Sequence, residues 1–147
     1  MKILARQLTI DLYNCNTKKL QDAEEIKAVV AKVIGDTPNL QSSNITDSHI
    51  AIIGAFDLGH IAVHVYSEYR YVAVDVFTFS EDTEPELLSK ELRKFFQPDK
   101  IKSTFLKRGD FGQEKEIKPK IKTRVAPLRR IHNTGAKVIK TLVRRDK

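Results

Sequence analysis

Between Gly59 and Phe79 the chain gathers the side chains best suited to proton transfer: His60, His64, Glu68 and Asp75, with Tyr66, Tyr69 and Tyr71 among them. Imidazole, carboxylate and phenol groups are the usual general acids and bases. In a strand, His60, Ala62, His64 and Tyr66 share one face by period two. A histidine pair so placed serves either as a ligand set or as hydrogen-bonded sheet residues. Glu68, in a polar turn, is either a hydroxyl-binding group or a solvated turn acid. Asp75 interrupts an apolar run, and an unpaired carboxylate is costly to bury. The expectation for it is a structural partner, Arg70 or a lysine of the C-terminal segment, rather than catalysis. No metal centre is expected, because His49, His60, His64 and His132 lack ligand spacing and Cys15 is the single cysteine. That cysteine also excludes an internal disulfide.

The elements that must carry these residues follow from periodicity. Residues 3 to 13 alternate apolar and polar, a half-buried strand ending at Asn14-Cys15-Asn16. Asn16 or Thr17 caps a short turn, and Asp22 caps a helix whose first turn holds Glu24 and Glu25. Ile26, Val29, Val30, Val33 and Ile34 form its apolar stripe, and Gly35 stops it. A short or irregular strand is predicted within 36–46, and a clear one over Ser48 to Phe56, where Gly54 signals a bulge or a close backbone approach. The hairpin from Gly59 turns at Ser67-Glu68-Tyr69-Arg70. Its second strand, Val72 to Phe77, is apolar enough to be covered on both faces. Thr83-Glu84-Pro85-Glu86 starts a second helix with apolar positions Leu87, Leu88, Leu92, Phe95 and Phe96, ended by Pro98. Asp99 to Leu106 is a last strand. The order β-α-β-β-β-β-α-β predicts an α+β fold, a two-layer α/β sandwich of antiparallel sheet with two helices on one face.

The net charge of +7 is unevenly spread: acids slightly outnumber bases over 1–112, and 113–147 supplies the whole surplus. Two regions are therefore expected, a domain at 1–112 and a basic C-terminal extension at 113–147. Within the extension, 114–122 suggests an arm or edge strand and Pro127 to Asp146 a basic helix. Its functions left open are a solvated tail, packing on the domain or a second subunit, and binding of nucleic acid or another anionic surface. It has no aromatic residue for base stacking. Hydrophobic residues make up 41% and charged residues 31%, an ordinary globular balance. No apolar run approaches the roughly 18–20 residues of a membrane span, and the N-terminus has no signal-peptide core, so a cytoplasmic protein without membrane contact is expected.

The run Glu68-Tyr69-Arg70-Tyr71-Val72-Ala73-Val74-Asp75-Val76-Phe77-Thr78 resembles the central hairpin of the prokaryotic S-adenosylmethionine decarboxylases, the small pyruvoyl enzymes of spermidine synthesis. Leu8 to Cys15, Thr83 to Phe96 and Lys107-Arg108-Gly109 fall where that family has its first strand, second helix and last strand end. The resemblance covers roughly residues 3 to 110. It implies a decarboxylase-like fold, a homodimer, and an S-adenosylmethionine-like or polyamine ligand. It also implies self-cleavage at a Glu-Ser bond, the serine becoming a pyruvoyl group that forms a Schiff base with the substrate amine. A histidine five residues on assists processing, and a cysteine twenty residues on is the general acid.

Laid on this chain without gaps, the serine position is Gly59, preceded by Leu58, and the cysteine position is Phe79. His64 is retained. Tyr66, in place of tryptophan, and Glu68 are the implied adenine and ribose contacts, and Ile61 joins that substrate-binding set. Glycine has no oxygen with which to attack its own carbonyl, so a pyruvoyl cofactor is not expected. Phenylalanine donates no proton. The resemblance therefore implies a non-processing, catalytically inactive member with a binding or regulatory role. Two alternatives stay open: an active decarboxylase cleaving elsewhere, such as Ser48 in Asp47-Ser48-His49, and an anion binder acting through its tail. Against Ser48 stand the roughly eleven extra residues before the hairpin and the isoleucine, Ile53, five residues on.

Overall fold

Alternating burial along the central strands divides the sheet into a face that meets helices and a face that does not. The computed structural model describes residues 5–34, 39–79, 85–109 and 118–125. Within them lie β1 (Ala5–Tyr13), α1 (Ala23–Ile34), β2 (Asn39–Thr46), β3 (His49–Phe56), β4 (Gly59–Tyr66), β5 (Tyr71–Thr78), α2 (Pro85–Phe96), β6 (Lys100–Arg108) and β7 (Lys120–Val125). All strands pair antiparallel in one sheet of order β2-β3-β4-β5-β1-β6-β7. The α+β class and the two helices on one face agree with the sequence expectation.

The core lies between that face and the helices. Leu8, Ile10 and Leu12 of β1, Ile61, Val63 and Val65 of β4, and Val72, Val74 and Val76 of β5 are all buried there. Ile26 and Val30 of α1 and Leu88, Leu92 and Phe96 of α2 close it from above. Burying each such side chain stabilises by about 1.5–3 kcal/mol. α1 lies over β2 and β3, α2 over β1 and β6, and the helices touch each other.

Local signals act where expected. The Asp22 carboxylate accepts hydrogen bonds from the Glu24 and Glu25 amides at 3.1 and 3.2 Å, capping α1. Asn16 Oδ1 accepts from the Lys18 amide at 3.0 Å, capping the 3-10 turn Thr17–Lys19. Gly54 marks a close approach and no bulge: its register with Leu40 is continuous, and an added Cβ would stand 2.4 Å from Leu40 Cδ2. Gly35 and Thr83 lie outside the described residues.

Three expectations need correction. Asp75 is exposed, since β5 alternates and presents Tyr71, Ala73, Asp75 and Phe77 away from the helices. Arg70 turns elsewhere, donating to the carbonyls of Cys15 at 2.8 Å and Asn14 at 3.4 Å. Leu87, placed on the apolar face of α2, is 55% exposed, because Leu88, Leu92 and Phe96 take the buried stripe. The sheet also runs past residue 112, with β7 of the basic extension pairing along β6 from Phe105↔Lys120 to Lys100↔Val125. The helix expected over Pro127 to Asp146 lies outside the described residues.

Candidate functional site

The residues singled out from the sequence separate into two groups at opposite ends of β4. One surrounds the Leu58–Gly59 peptide bond. β3 turns into β4 through Asp57-Leu58, with Phe56 paired to Gly59. Gly59 also pairs with Thr78 of β5, so it has a neighbouring strand on each side. The Leu58 carbonyl accepts a hydrogen bond from the Phe79 amide at 2.7 Å. Leu58 and Phe79 are both partly exposed, at 47% and 42%.

Gly59 is enclosed by backbone. A Cβ added there would stand 1.8 Å from the Phe77 carbonyl oxygen, 2.8 Å from its carbon and 2.9 Å from Thr78 Cα. Backbone atoms of a paired strand cannot yield as the end of a flexible side chain can. No side chain, serine included, enters this position without moving β5 from β4. The residues present therefore do not fit a pyruvoyl group: position 59 lacks the hydroxyl that would generate it and the space to hold it.

The other group occupies the far end of β4, on the face without helices. His64 is five positions from Gly59, about 16 Å along the strand. His49 Nε2 and His64 Nδ1 share a hydrogen bond at 3.0 Å, so one ring donates and the other accepts. His49 stacks on Tyr66 with centroids 4.4 Å apart and planes 16° apart. Tyr66 faces Tyr71 at 6.2 Å, and Tyr71 faces Tyr13 at 5.4 Å. The Tyr71 hydroxyl donates to the Asp11 carboxylate. Burial first, then that hydrogen bond and the Asp11 charge, raise the Tyr71 phenol well above its ordinary range; burial and Asp11 also raise Tyr13. The result is a belt of flat rings across β3, β4, β5 and β1.

Glu68 stands beside this belt in the 3-10 turn Ser67–Tyr69, exposed to solvent. Arg70 holds the turn in place. It adopts a left-handed conformation (φ 50°), its carbonyl accepts from the Cys15 amide at 2.9 Å, and its guanidinium reaches back to the same loop. Tyr66 and Glu68 are thus brought to one end of the sheet, as their positions in the sequence suggested. Ile61 is not with them: its side chain is fully buried on the helix-facing side. A ligand on the ring belt has no access to it. Likewise His64 is distant from its own chain's Leu58–Gly59 bond.

Ser48 lies in the two-residue turn between β2 and β3, its hydroxyl 3.4 Å from Thr46 Oγ1. The Ser48 carbonyl accepts from the Ser67 amide at 3.0 Å and hydroxyl at 3.3 Å. Sequence reasoning missed His49, Tyr71, Tyr13 and Asp11 as members of the belt. Only the cross-strand register, which sets His49 against Tyr66 and Tyr66 against Tyr71, joins them. Among the described residues, no group of three or more His, Cys, Asp or Glu is placed to hold a metal, and no helix is long and apolar enough to cross a membrane.

Comparison with known proteins gives concordant results. The family model described as S-adenosylmethionine decarboxylase matches residues 6–109. An S-adenosylmethionine decarboxylase proenzyme of Methanococcus maripaludis is 30% identical over 122 residues, 79% of this chain and 100% of the relative. A proenzyme of the same name from Thermomicrobium roseum is 33% identical over 112 residues, 74% of this chain and 97% of that one. The crystal structure of the adenosylmethionine decarboxylase from Aquifex aeolicus superposes with a TM-score of 0.66 at 19% identity, covering 80% of this chain and 100% of that one, a likeness of fold.

Proposed function

The chain belongs to the S-adenosylmethionine decarboxylase family, and on that premise we propose that it is a non-processing member that keeps the scaffold and binds a ligand without decarboxylating it. One observation carries the proposal: Gly59 sits at the position of the processing serine, with the Phe77 carbonyl oxygen 1.8 Å from where a Cβ would be. The scissile peptide bond has no nucleophile on its C-terminal side, and β5 fills the space a serine would need. Phe79, at the position of the acid, offers no proton.

The ring belt and Glu68 support the binding half of the reading. Tyr66, stacked on His49 within the belt, gives a purine an aromatic surface to lie against, and aromatic ring pairs contribute about 0.5–1.5 kcal/mol beyond burial. The Glu68 carboxylate is an acceptor for ribose hydroxyls. The ligand class is thus an S-adenosylmethionine-like nucleoside or a polyamine, and the role is binding or regulatory, in the cytoplasm. The assembly we propose is a homodimer through the face without helices. Exposed Ile53 and half-buried Tyr66, Tyr71 and Phe77 on that face support it. Ser48 supports no second reading, since it lies in a tight turn at the opposite end of β3 from Gly59.

Intact-mass spectrometry of freshly purified protein tests the proposal. A single uncleaved chain of 16.8 kDa is expected. Two fragments meeting at residues 58/59 or 47/48, the second blocked by a carbonyl that reacts with amine and cyanoborohydride, would overturn it.

A further inference from the structure

Away from the ring belt, on the helix side of the sheet, a cavity of about 370 Å³ opens between α2 and strands β6 and β7. This is within the range of small-molecule sites, about 300–1,000 Å³. Its floor is apolar, formed by Leu8, Ile101, Phe105 and the exposed Leu87. Its walls are cationic for a geometric reason on each side. Lys90 and Arg93 recur three apart on α2, which sets them on one helix face. Lys120, Lys122 and Arg124 alternate along β7, which turns all three inward. Among the described residues, five cations therefore surround the apolar floor, against the single carboxylate of Glu86.

That carboxylate indicates what the walls accept. Lys122 Nζ donates to Glu86 Oε1, and Lys122 and Arg124 together hold the Glu86 carboxyl below the ordinary range. Both partners are well exposed, and exposed ion pairs are weak. An incoming anion with more apolar surface than glutamate would gain the floor as well as the cations. β7 lies beyond residues 6–109 matched by the family model, so one wall of the cavity comes from the basic extension.

We propose that this groove binds a small amphipathic carboxylate, its apolar body on Leu87 and Phe105 and its carboxylate among Lys90, Arg93, Lys120, Lys122 and Arg124. The site is independent of the ring belt and does not rest on the decarboxylase-family reading. The extension thus gains a function in the domain: it completes a binding site.

Titration of the full chain with octanoate, followed by backbone amide NMR, tests this, with octanol and octylamine as controls for the apolar and charged halves. Saturable shifts confined to 86–93, 101–105 and 120–124 are expected, with octylamine silent and octanol at least tenfold weaker. The double variant Lys120→Glu/Arg124→Glu, exposed on an edge strand, should weaken octanoate at least tenfold without changing the melting temperature. If β7 detaches in that variant, Lys90→Glu on α2 carries the same expectation. Lys27→Glu/Lys32→Glu on α1, the same change of net charge away from the groove, should leave binding intact. Shifts on the ring belt, non-saturating shifts, equal binding of octylamine, equal loss in the distant control, or binding only of an acidic peptide would each overturn the proposal.

Discussion

Replacing Gly59 by serine restores the one atom the family's chemistry requires, and it should not restore the chemistry. The Cβ of any new side chain would lie 1.8 Å from the Phe77 carbonyl oxygen. Contacts below about 3 Å are essentially unseen for real side chains, so β4 and β5 must separate by more than an ångström at Gly59↔Thr78. Overpacking of this kind costs about 1–3 kcal/mol. At about 2–4 °C per kcal/mol for a chain of this size, the melting temperature should fall by roughly 3–10 °C. Gly59→Ala carries the same steric load and no hydroxyl, so the two variants should melt within a degree or two of each other. The assay is thermal unfolding by circular dichroism, paired with intact mass after prolonged incubation at neutral pH. Both variants should stay as one chain. The reasoning is refuted if Gly59→Ser melts like the parent and cleaves at 58/59, for then only an absent hydroxyl, and no closure of the backbone, blocked processing.

At the ring belt, Tyr66→Ala should weaken S-adenosylmethionine binding about three- to tenfold, the worth of one aromatic stack. Glu68→Gln should weaken it by a further tenfold or more, since hydrogen bonds to a charged group are worth about 1.5–3 kcal/mol; calorimetry reads both, and unchanged affinity in either removes that residue from the site. The raised Tyr71 phenol makes an alkaline prediction. Its contribution to stability is fully present below the ordinary tyrosine value of 10.0 and is lost as pH rises toward the higher folded value, because the unfolded chain gives up its proton first. Stability should therefore decline above about pH 10, and Asp11→Asn should flatten that decline in denaturant melts. Asp22→Ala removes the cap of α1 and should cost about 0.5–2 kcal/mol in urea unfolding, with the slope unchanged.

Much of the fold was legible because its causes are local. Asp22 followed by two glutamates caps α1 wherever that helix is docked, and period-two alternation marks β1 and β4 without knowledge of their neighbours. The corrections came where neighbours decide. Val72 to Phe77 looked apolar enough for burial on both faces, yet the pleat turns Asp75 to the open side. Leu87 belongs by type to the core of α2, but Leu88, Leu92 and Phe96 had already filled the interface with the sheet. The candidate site divides in the same way. The family resemblance implies a serine at position 59, and glycine's lack of a nucleophile there needs no coordinates.

What the sequence determined by itself, then, is the order of elements, the family and the absence of a hydroxyl at Gly59, all set by residue identity and short-range periodicity. Tertiary structure alone decided that β5 closes over Gly59 and that His49 joins Tyr66 and Tyr71 across three strands. It alone brought the cations of β7 opposite those of α2 above an apolar floor. Cross-strand register and packing bring together residues tens of positions apart, and local sequence carries no signal for that distance.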